Sequence, residues 1–343
     1  MTKEDATKII MQRKRELGDK LVILGHHYQN DDIIGFADYV GDSLELARKS
    51  ARINDAKIIV FCGVYFMAET AAVLAPDKMV YIPDITAGCP LADMAQLDDV
   101  SDAYQEIMQV RSSCLPITYV NSSVEIKAFC GRNGGTVCTS GNAGKVFEWA
   151  FTQSDAIFFM PDKNLGYNTA HSMGISPEEI VEWDQAQMKG GLDKKSYEQA
   201  RVIVWNGWCP VHWPDITVKH VEKMRIKHPD IQIIVHPETD PKTVDASDVA
   251  GSTARILDFV KSVKPGSTIA IGTEYNMVKR AAQEYKDKVQ IEPVEEIFCE
   301  DMARITIEKL ALCLKTFDES LLVKVDEDTA RDARIALERM LEI

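Results

Sequence analysis

Short apolar runs alternate along the chain with longer segments of helical periodicity. In the first third, the runs at residues 21–24, 57–61 and 79–82 are separated by helical patterns at 33–52 and 67–74. Parallel strands need a helical crossover between them, so this alternation predicts βαβ units and a parallel sheet covered by helices.

The same alternation returns in the other two thirds. We predict strands at these positions: 117–120, 136–138, 156–160 and 202–204 in the second third, and 231–235, 249–250, 269–271 and 289–291 in the last. A period of about 115 residues is too long for a solenoid. It predicts an α/β protein of three similar Rossmann-like αβα domains, at residues 1–112, 113–225 and 226–343, the last including C-terminal helices.

Aligning the thirds places polar residues at the ends of corresponding strands. In this alignment the first strands end at His26, Asn121 and His236, and the second strands end at Cys62-Gly63-Val64, at Cys138 and at Ala250. Ligands of open parallel sheets bind beyond the carboxyl ends of the strands. If the three edges face one another, these residues meet in a central cavity.

Composition and charge narrow the function classes. The 343 residues are 45% hydrophobic and carry a net charge of −14, which argues against nucleic acid as a partner. No apolar run reaches membrane-spanning length, and residues 1–17 have a polar helical pattern rather than that of a signal peptide. Eight cysteines without a secretion signal favour a reducing compartment, so we expect a cytoplasmic protein without a membrane partner.

Three cysteines occur in matching contexts. Cys89, Cys209 and Cys299 each follow a predicted strand and precede a helical pattern. Three thiolates from three domains could hold zinc or an iron–sulfur cluster and leave one coordination position open for substrate. Three buried structural cysteines are the equally weighted alternative.

Two polar pairs repeat at related strand ends. His26 and Tyr28 follow the first strand of the first third, and His236 and Glu238 follow the first strand of the last third. Residues two apart face the same side of an extended segment, so each pair could transfer protons or bind substrate. His212, three residues after Cys209, could act as an acid or base. Backbone-satisfied histidines are the alternative.

Small and hydroxyl residues precede three helical patterns, at residues 41–43, 140–142 and 251–253. They are ordinary N-caps, but helix N-termini aimed at one cavity would also suit a polyanionic substrate. None matches a phosphate-binding P-loop or a dinucleotide fingerprint, which argues against ATP and NAD as cofactors.

With these motifs the chain resembles the quinolinate synthases, iron–sulfur enzymes of NAD biosynthesis. The matching stretches include Cys89-Pro90-Leu91-Ala92 and Trp208-Cys209-Pro210-Val211-His212, and they occur in family order over most of the chain. The others lie at residues 25–29, 40–47, 66–69, 119–123, 138–143, 161–166, 236–238, 249–253 and 271–274.

The resemblance implies a pseudo-threefold arrangement of the three domains around a central [4Fe–4S] cluster. Cys89, Cys209 and Cys299 would bind three irons, and the fourth iron, open to substrate, would act as a Lewis acid. The implied reaction condenses iminoaspartate with dihydroxyacetone phosphate to quinolinate, releasing phosphate and two waters. Direct transfer of iminoaspartate from an aspartate oxidase is an additional expectation.

The resemblance also implies residue roles. Tyr28, His212 and Glu238 are expected to move protons. The residues expected to bind substrate are His26, Ser43, Tyr119, Val120, Asn121, Ser140, His236, Pro237, Glu238, Ser252 and Thr253.

Three other functions remain open on the residues alone. A zinc hydrolase could use the same three cysteines with water as the fourth ligand. A non-catalytic iron–sulfur sensor would need the cysteines but not the repeated polar pairs. A three-domain binding protein would need neither.

Overall fold

The computed structural model describes residues 1–53 and 55–343 and confirms the predicted α/β class, with three parallel sheets flanked by helices. The first sheet contains β1 (Leu21–His26), β2 (Tyr39–Gly41), β3 (Ile58–Cys62) and β4 (Met79–Tyr81). The second contains β5 (Leu115–Tyr119), β6 (Thr136–Cys138), β7 (Ile157–Met160), β8 (Ile180–Trp183) and β9 (Val202–Trp205). The third contains β10 (Gln232–Val235), β11 (Val249–Ala250), β12 (Thr268–Gly272) and β13 (Gln290–Pro293).

Helices connect and cover the strands. The first sheet's segment carries α1 (Lys3–Leu17), α2 (Asp31–Ile34), α3 (Ser43–Ser50), α4 (Tyr65–Leu74), α5 (Pro90–Asp93) and α6 (Leu97–Val110). The second carries α7 (Val124–Arg132), α8 (Ala143–Gln153), α9 (Lys163–Ser172), α10 (Lys194–Gln199) and α11 (Val218–Lys227). The third carries α12 (Pro241–Ala246), α13 (Thr253–Ser262) and α14 (Tyr275–Glu284) between its strands, and the C-terminal helices α15 (Glu300–Ala303), α16 (Ile307–Thr316) and α17 (Glu327–Glu342) follow it.

The three sheets share one strand order. It is β2-β1-β3-β4 in the first, β6-β5-β7-β9 in the second and β11-β10-β12-β13 in the third, with β8 as an additional edge strand beside β9. All the pairs are parallel. Central strands are buried on both faces, as the fully buried run Ile157–Met160 shows, because helices cover both sides of each sheet. Sequence analysis did not identify β8.

The predicted helix over residues 33–52 is wrong. This segment contains α2, then strand β2, then α3. Tyr39-Val40-Gly41 pairs with Leu24-Gly25-His26 of β1, and aromatic and β-branched residues favour such pairing. Asp42 then starts α3 with a capping box, because its carboxylate accepts from the Glu45 amide while the Glu45 carboxylate accepts from the Asp42 amide.

This correction also changes the alignment of the repeats. In the common strand order, β2 is the counterpart of β6 and β11, so aligning Cys62 with Cys138 and Ala250 was wrong. The stretch Gly41-Asp42-Ser43 occupies the position equivalent to Ser140-Gly141-Asn142 and Gly251-Ser252-Thr253. The strands that precede Cys89, Cys209 and Cys299, namely β4, β9 and β13, are equivalent to one another.

The last two helices pack away from the third sheet. Helix α16 packs against α1, and α17 packs against α7 and β6. Close backbone approach at Gly131 of α7 permits this packing, since a Cβ there would lie 2.0 Å from the carbonyl oxygen of Asp332. The C-terminal helices therefore join the first two sheet units, while the proposed limits at residues 112 and 225 stay predictions.

Candidate active site

A cavity of about 250 Å³ lies at the carboxyl ends of the strands and takes its walls from all three sheet units. Its lining includes Cys89, Cys209 and Cys299, the three strand-end cysteines. The other predicted site residues that line it are His26, Tyr28, Ser43, Tyr119, Asn121, Ser140, His212, His236, Glu238 and Thr253. The parallel sheets therefore bring these residues to one place, as expected for such folds.

Three of the predicted substrate-binding residues do not line this cavity. Val120 is buried, and its amide donates to the Cys138 carbonyl. The carbonyl of Pro237 accepts from the Asn168 side chain. Ser252 is the N-cap of α13, where its hydroxyl accepts from the amide of Arg255. These three residues make hydrogen bonds next to the lining residues and do not line the cavity themselves.

Cys89 and Cys299 lie in similar local structures. Each is the residue before a short helix, α5 or α15. Backbone amides of Leu91 and Ala92 donate to the Cys89 sulfur, and those of Asp301 and Met302 donate to the Cys299 sulfur. Amide hydrogen bonds to sulfur stabilise thiolates and tune metal–thiolate centres.

Cys209 differs from this arrangement. No helix starts directly after it. Instead the amides of His212 and Trp213 both donate to its carbonyl, and α11 begins only at Val218. This turn carries the His212 side chain back into the cavity.

The three thiols have the chemistry expected of a soft-metal site. Burial raises the pKa of all three, that of Cys299 to about 11. Cys299 further raises the pKa of Cys89, and Cys89 and Cys299 further raise that of Cys209. None is in a disulfide. Thiolates at such a buried place need a positive partner, and a bound metal centre provides one, so these residues fit a thiolate-bound metal or iron–sulfur cluster.

The two repeated polar pairs have the same local geometry. The amide of Tyr28 donates to His26 Nδ1 at 3.1 Å, and the amide of Glu238 donates to His236 Nδ1 at 3.4 Å. This bond orients each imidazole, and both residues line the cavity. The repeat predicted from sequence therefore extends to hydrogen bonds within the loops.

Glu238 lies between two stacked imidazoles. Its Oε2 is 2.5 Å from His212 Nδ1 and 3.2 Å from His236 Nδ1, and the two rings stack with centroids 4.3 Å apart. Burial alone would raise the pKa of Glu238, but the neighbouring His236 and His212 outweigh burial and hold that pKa below its ordinary value. The other oxygen, Oε1, is buried and has no hydrogen-bond partner in the described part of the chain.

A fully buried threonine joins this pair to Tyr28. Thr273 Oγ1 lies 2.9 Å from the Tyr28 hydroxyl and 3.0 Å from His212 Nε2. These two contacts make a continuous hydrogen-bonded path from Tyr28 through Thr273 to His212, whose Nδ1 lies beside the Glu238 carboxylate. Sequence analysis gave Thr273 no role. Its place after β12, among other strand-end polar residues, was the available signal.

Burial changes the proton affinity of the other ring groups. Burial, followed by the charge of Glu238, raises the pKa of both Tyr28 and Tyr119 well above the ordinary value. Burial also lowers the pKa of His26 to about 3. These tyrosines therefore remain protonated, and His26 remains neutral, near pH 7.

Donors on the opposite wall are neutral. Ser43, Ser140 and Thr253 line the cavity where β2, β6 and β11 give way to helices. Within residues 1–53 and 55–343, the lining includes neither lysine nor arginine. Amides at helix N-termini, hydroxyls and imidazoles are thus its donors for an anionic ligand.

Asp162 is a second residue that sequence analysis missed. It is fully buried, caps α9 by accepting from the Leu165 amide at 2.7 Å, and accepts from the Cys209 amide at 3.2 Å. Burial, followed by the charge of Glu238, raises its pKa well above the ordinary value. Asp162 therefore ties the Cys209 turn to α9.

The same wall offers a second ligand set. Ligand atoms of Cys209, His212 and Glu238 lie within 4.8 Å of one another. These residues could hold a single metal ion without Cys89 and Cys299.

The fold and the cavity define an α/β protein of three parallel-sheet units with one shared cavity, lined by three cysteines that fit a thiolate-ligated metal centre. Residues 8–342 match the model of the family described as quinolinate synthetase A protein. The chain belongs to this family.

Named relatives are similar over the whole of this chain. The chain is 45% identical to the quinolinate synthase of Bacillus cereus strain G9842, and 44% identical to those of Bacillus cereus strain Q1 and Bacillus anthracis strain A0248. Each comparison covers 100% of this chain and 94% of the relative. Among the helices that the structure describes, none is both long and apolar enough to cross a membrane.

Proposed function

We propose that the protein is a quinolinate synthase that condenses iminoaspartate with dihydroxyacetone phosphate, releasing phosphate and two waters. The observation that carries this proposal is a single cavity lined by three strand-end cysteines together with Tyr28, His212 and Glu238, with Thr273 hydrogen-bonded to both Tyr28 and His212. Membership of the quinolinate synthetase A family supports it.

Cys89, Cys209 and Cys299 would hold one [4Fe–4S] cluster. When bound, its iron without a protein ligand would supply a Lewis acid to the cavity. The buried thiols and the amides that donate to two of them support this assignment.

The opposite wall would bind the carboxylates and the phosphate. Hydroxyls of Ser43, Ser140 and Thr253 and nearby helix N-terminal amides offer neutral donors, and His26 and His236 add imidazole nitrogens. Asn121 Oδ1 is buried without a hydrogen-bond partner in the described chain, so it is available to accept from the imine or a substrate hydroxyl. Tyr119 lines the same cavity, and its protonated hydroxyl would contact the bound substrate.

Condensation, ring closure and loss of two waters each require proton transfers at substrate carbon, nitrogen or oxygen. Tyr28 is protonated and can donate its hydroxyl proton. His212 takes up a proton that the substrate releases and becomes an imidazolium, which Glu238 stabilises. It then passes that proton through Thr273 to the Tyr28 oxygen, which restores both neutral groups. The unpartnered Oε1 of Glu238 gives that carboxylate a second face toward substrate.

We further propose that the enzyme works in the cytoplasm. Eight free cysteines support a reducing compartment. Contact with an aspartate oxidase stays a prediction from the family resemblance.

The test measures iron, sulfide, zinc and quinolinate formation on protein purified without oxygen. We expect about four irons and four sulfides per chain, and product from iminoaspartate and dihydroxyacetone phosphate. Cys209→Ser should lose the cluster and the activity. Cys313→Ser should keep both, because Cys313 is buried on α16 and does not line the cavity.

Other outcomes would favour other functions. Stoichiometric zinc in a colourless protein would refute the cluster and favour a hydrolase that uses Cys209, His212 and Glu238 as ligands. A full cluster without quinolinate formation would refute the proposed reaction and favour a sensor.

A further inference from the structure

The loop that carries Tyr28 is held by a helix of another sheet unit. Arg280 of α14 donates through both Nη atoms to the carbonyl oxygens of His27 and Gln29, at 2.8 to 3.3 Å. Asn276 of the same helix donates to the carbonyl of Tyr28 at 3.4 Å. Three successive carbonyls of the first unit thus accept from one helix of the third.

The loop that carries Glu238 is held in the same way. Asn168 of α9 donates to the carbonyl oxygens of Pro237 and Thr239, both at 2.9 Å. Asn164 of the same helix donates to the carbonyl of Glu238 at 3.1 Å. Here the second unit holds the third.

The two contacts are copies related by the repeat of the fold. Helices α9 and α14 follow the equivalent strands β7 and β12, and the loops follow the equivalent strands β10 and β1. Asn164 and Asn276 are the second residues of their helices, and Asn168 and Arg280 are the sixth. In both helices, the second residue donates to the carbonyl of the reactive residue, Tyr28 or Glu238. The sixth residue donates to the carbonyls of the residues directly before and after it.

The remaining pair of units is joined differently. Helix α4 follows β3, the remaining strand of this type, and it packs against α7, the helix after β5.

We propose that Arg280 and Asn168 are positioning residues that set the location of Tyr28 and Glu238. The inference deepens the proposed function and rests on the roles given there to these two side chains. We call Arg280 with Asn276 one clasp and Asn168 with Asn164 the other. Each clasp binds the backbone carbonyls on both sides of the reactive residue, so it fixes the Cα of that residue and leaves the side chain free for proton transfer. A planar guanidinium can donate to two carbonyls at once, which the single ammonium of lysine does less well.

A crossed pair of variants tests the proposal. Arg280→Lys and Asn168→Leu each remove one clasp, and each is the matched control for the other. Hydrogen–deuterium exchange should rise about tenfold or more in the loop at residues 27–30 for Arg280→Lys, and in the loop at 237–240 for Asn168→Leu. The other loop should stay within about twofold of the parent, since it keeps its own clasp.

Turnover gives the second readout. We expect kcat to fall about 10- to 100-fold in each variant, since small displacements of reactive groups carry such costs, while KM changes by less than about threefold. Asn276→Ala removes the contact to the Tyr28 carbonyl and the one to the Glu274 carboxylate, but it keeps the Arg280 contacts. It should raise exchange in the same loop to a smaller extent, and it serves if Arg280→Lys does not fold.

Two results would overturn the proposal. One is equal exchange in both loops for every variant, which marks a general loss of stability. The other is unchanged kcat despite a freed loop. Exchange does not depend on the reaction, so a parent enzyme that forms no quinolinate would refute the proposed function while the exchange data still decide whether the clasps exist.

Discussion

Thr273 provides the sharpest test of the proposed proton path. Its hydroxyl is the only atom of that side chain that can donate or accept, and it lies 2.9 Å from the Tyr28 hydroxyl and 3.0 Å from His212 Nε2. Replacing it with valine keeps the size and β-branching of the side chain but removes both hydrogen bonds. Tyr28 and His212 would then face each other across 3.4 Å.

The expected magnitudes follow from this geometry. Thr273 is fully buried, and valine fills the same space, so Thr273→Val creates no cavity. The Tyr28 hydroxyl and His212 Nε2 would keep only their 3.4 Å contact with each other. The free energy of unfolding should therefore fall by about 1 to 3 kcal/mol. Loss of one positioned proton-transfer group lowers turnover about 10²- to 10⁴-fold. KM should change little, because Thr273 does not line the cavity.

The assay measures kcat and KM for quinolinate formation together with iron content and thermal unfolding. Thr273→Ser is the matched control, because it keeps the hydroxyl and loses one methyl group. We expect Thr273→Ser to retain most of the turnover and Thr273→Val to lose it, with the same iron content in both. Equal turnover in the two variants would show that protons do not pass through Thr273. A large rise in KM with kcat unchanged would mean that the residue supports binding instead.

Two further predictions concern stability. His26 has a pKa near 3 when folded and near 6.5 when exposed, so the unfolded chain binds more protons between these values and stability falls as the pH drops below about 6.5. His26→Asn should therefore reduce the loss of stability between pH 7 and pH 5 by up to about 2 kcal/mol, measured by denaturant unfolding at both pH values, and an unchanged loss would contradict the burial of a neutral imidazole. Gly131→Ala should lower the free energy of unfolding by about 1 to 3 kcal/mol or more, because its Cβ would lie 2.0 Å from the Asp332 carbonyl oxygen. Gly144→Ala is the control, since nothing lies within 4 Å of a Cβ there, and equal effects at both positions would refute the close packing of α7 on α17.

Much of the fold could be predicted because buried parallel strands leave a local signal. Runs such as Ile157–Met160 are apolar without interruption, and each ends where polar residues begin. The strand-end cysteines and the repeated spacing of His26 with Tyr28 and His236 with Glu238 followed from the same signal. The segment around β2 was misread because a three-residue edge strand is too short to interrupt the apolar periodicity of its flanking helices.

Other features depend on contacts between distant segments. Val120, Pro237 and Ser252 share stretches with cavity residues, but side chains alternate in direction, so neighbours of a lining residue can face away from the cavity. Nothing local to Thr273 shows that it reaches both Tyr28 and His212. Arg280 and Asn168 occupy ordinary helical positions, and their partners are backbone carbonyls, which every residue has.

Periodicity and turn chemistry are local properties of the chain, so they are sufficient to predict the α/β class, the threefold repetition of strand and helix and the residue types at the strand ends. Three features follow from long-range contacts instead: the strand order that makes β2, β6 and β11 equivalent, the stacking of His212 and His236 around Glu238, and the contacts by which one unit holds the reactive loop of the next. These three features depend on the relative orientation of the three sheets, whose carboxyl-terminal strand ends all face one cavity. That orientation comes from packing among residues more than one hundred positions apart, such as Tyr28 and Thr273.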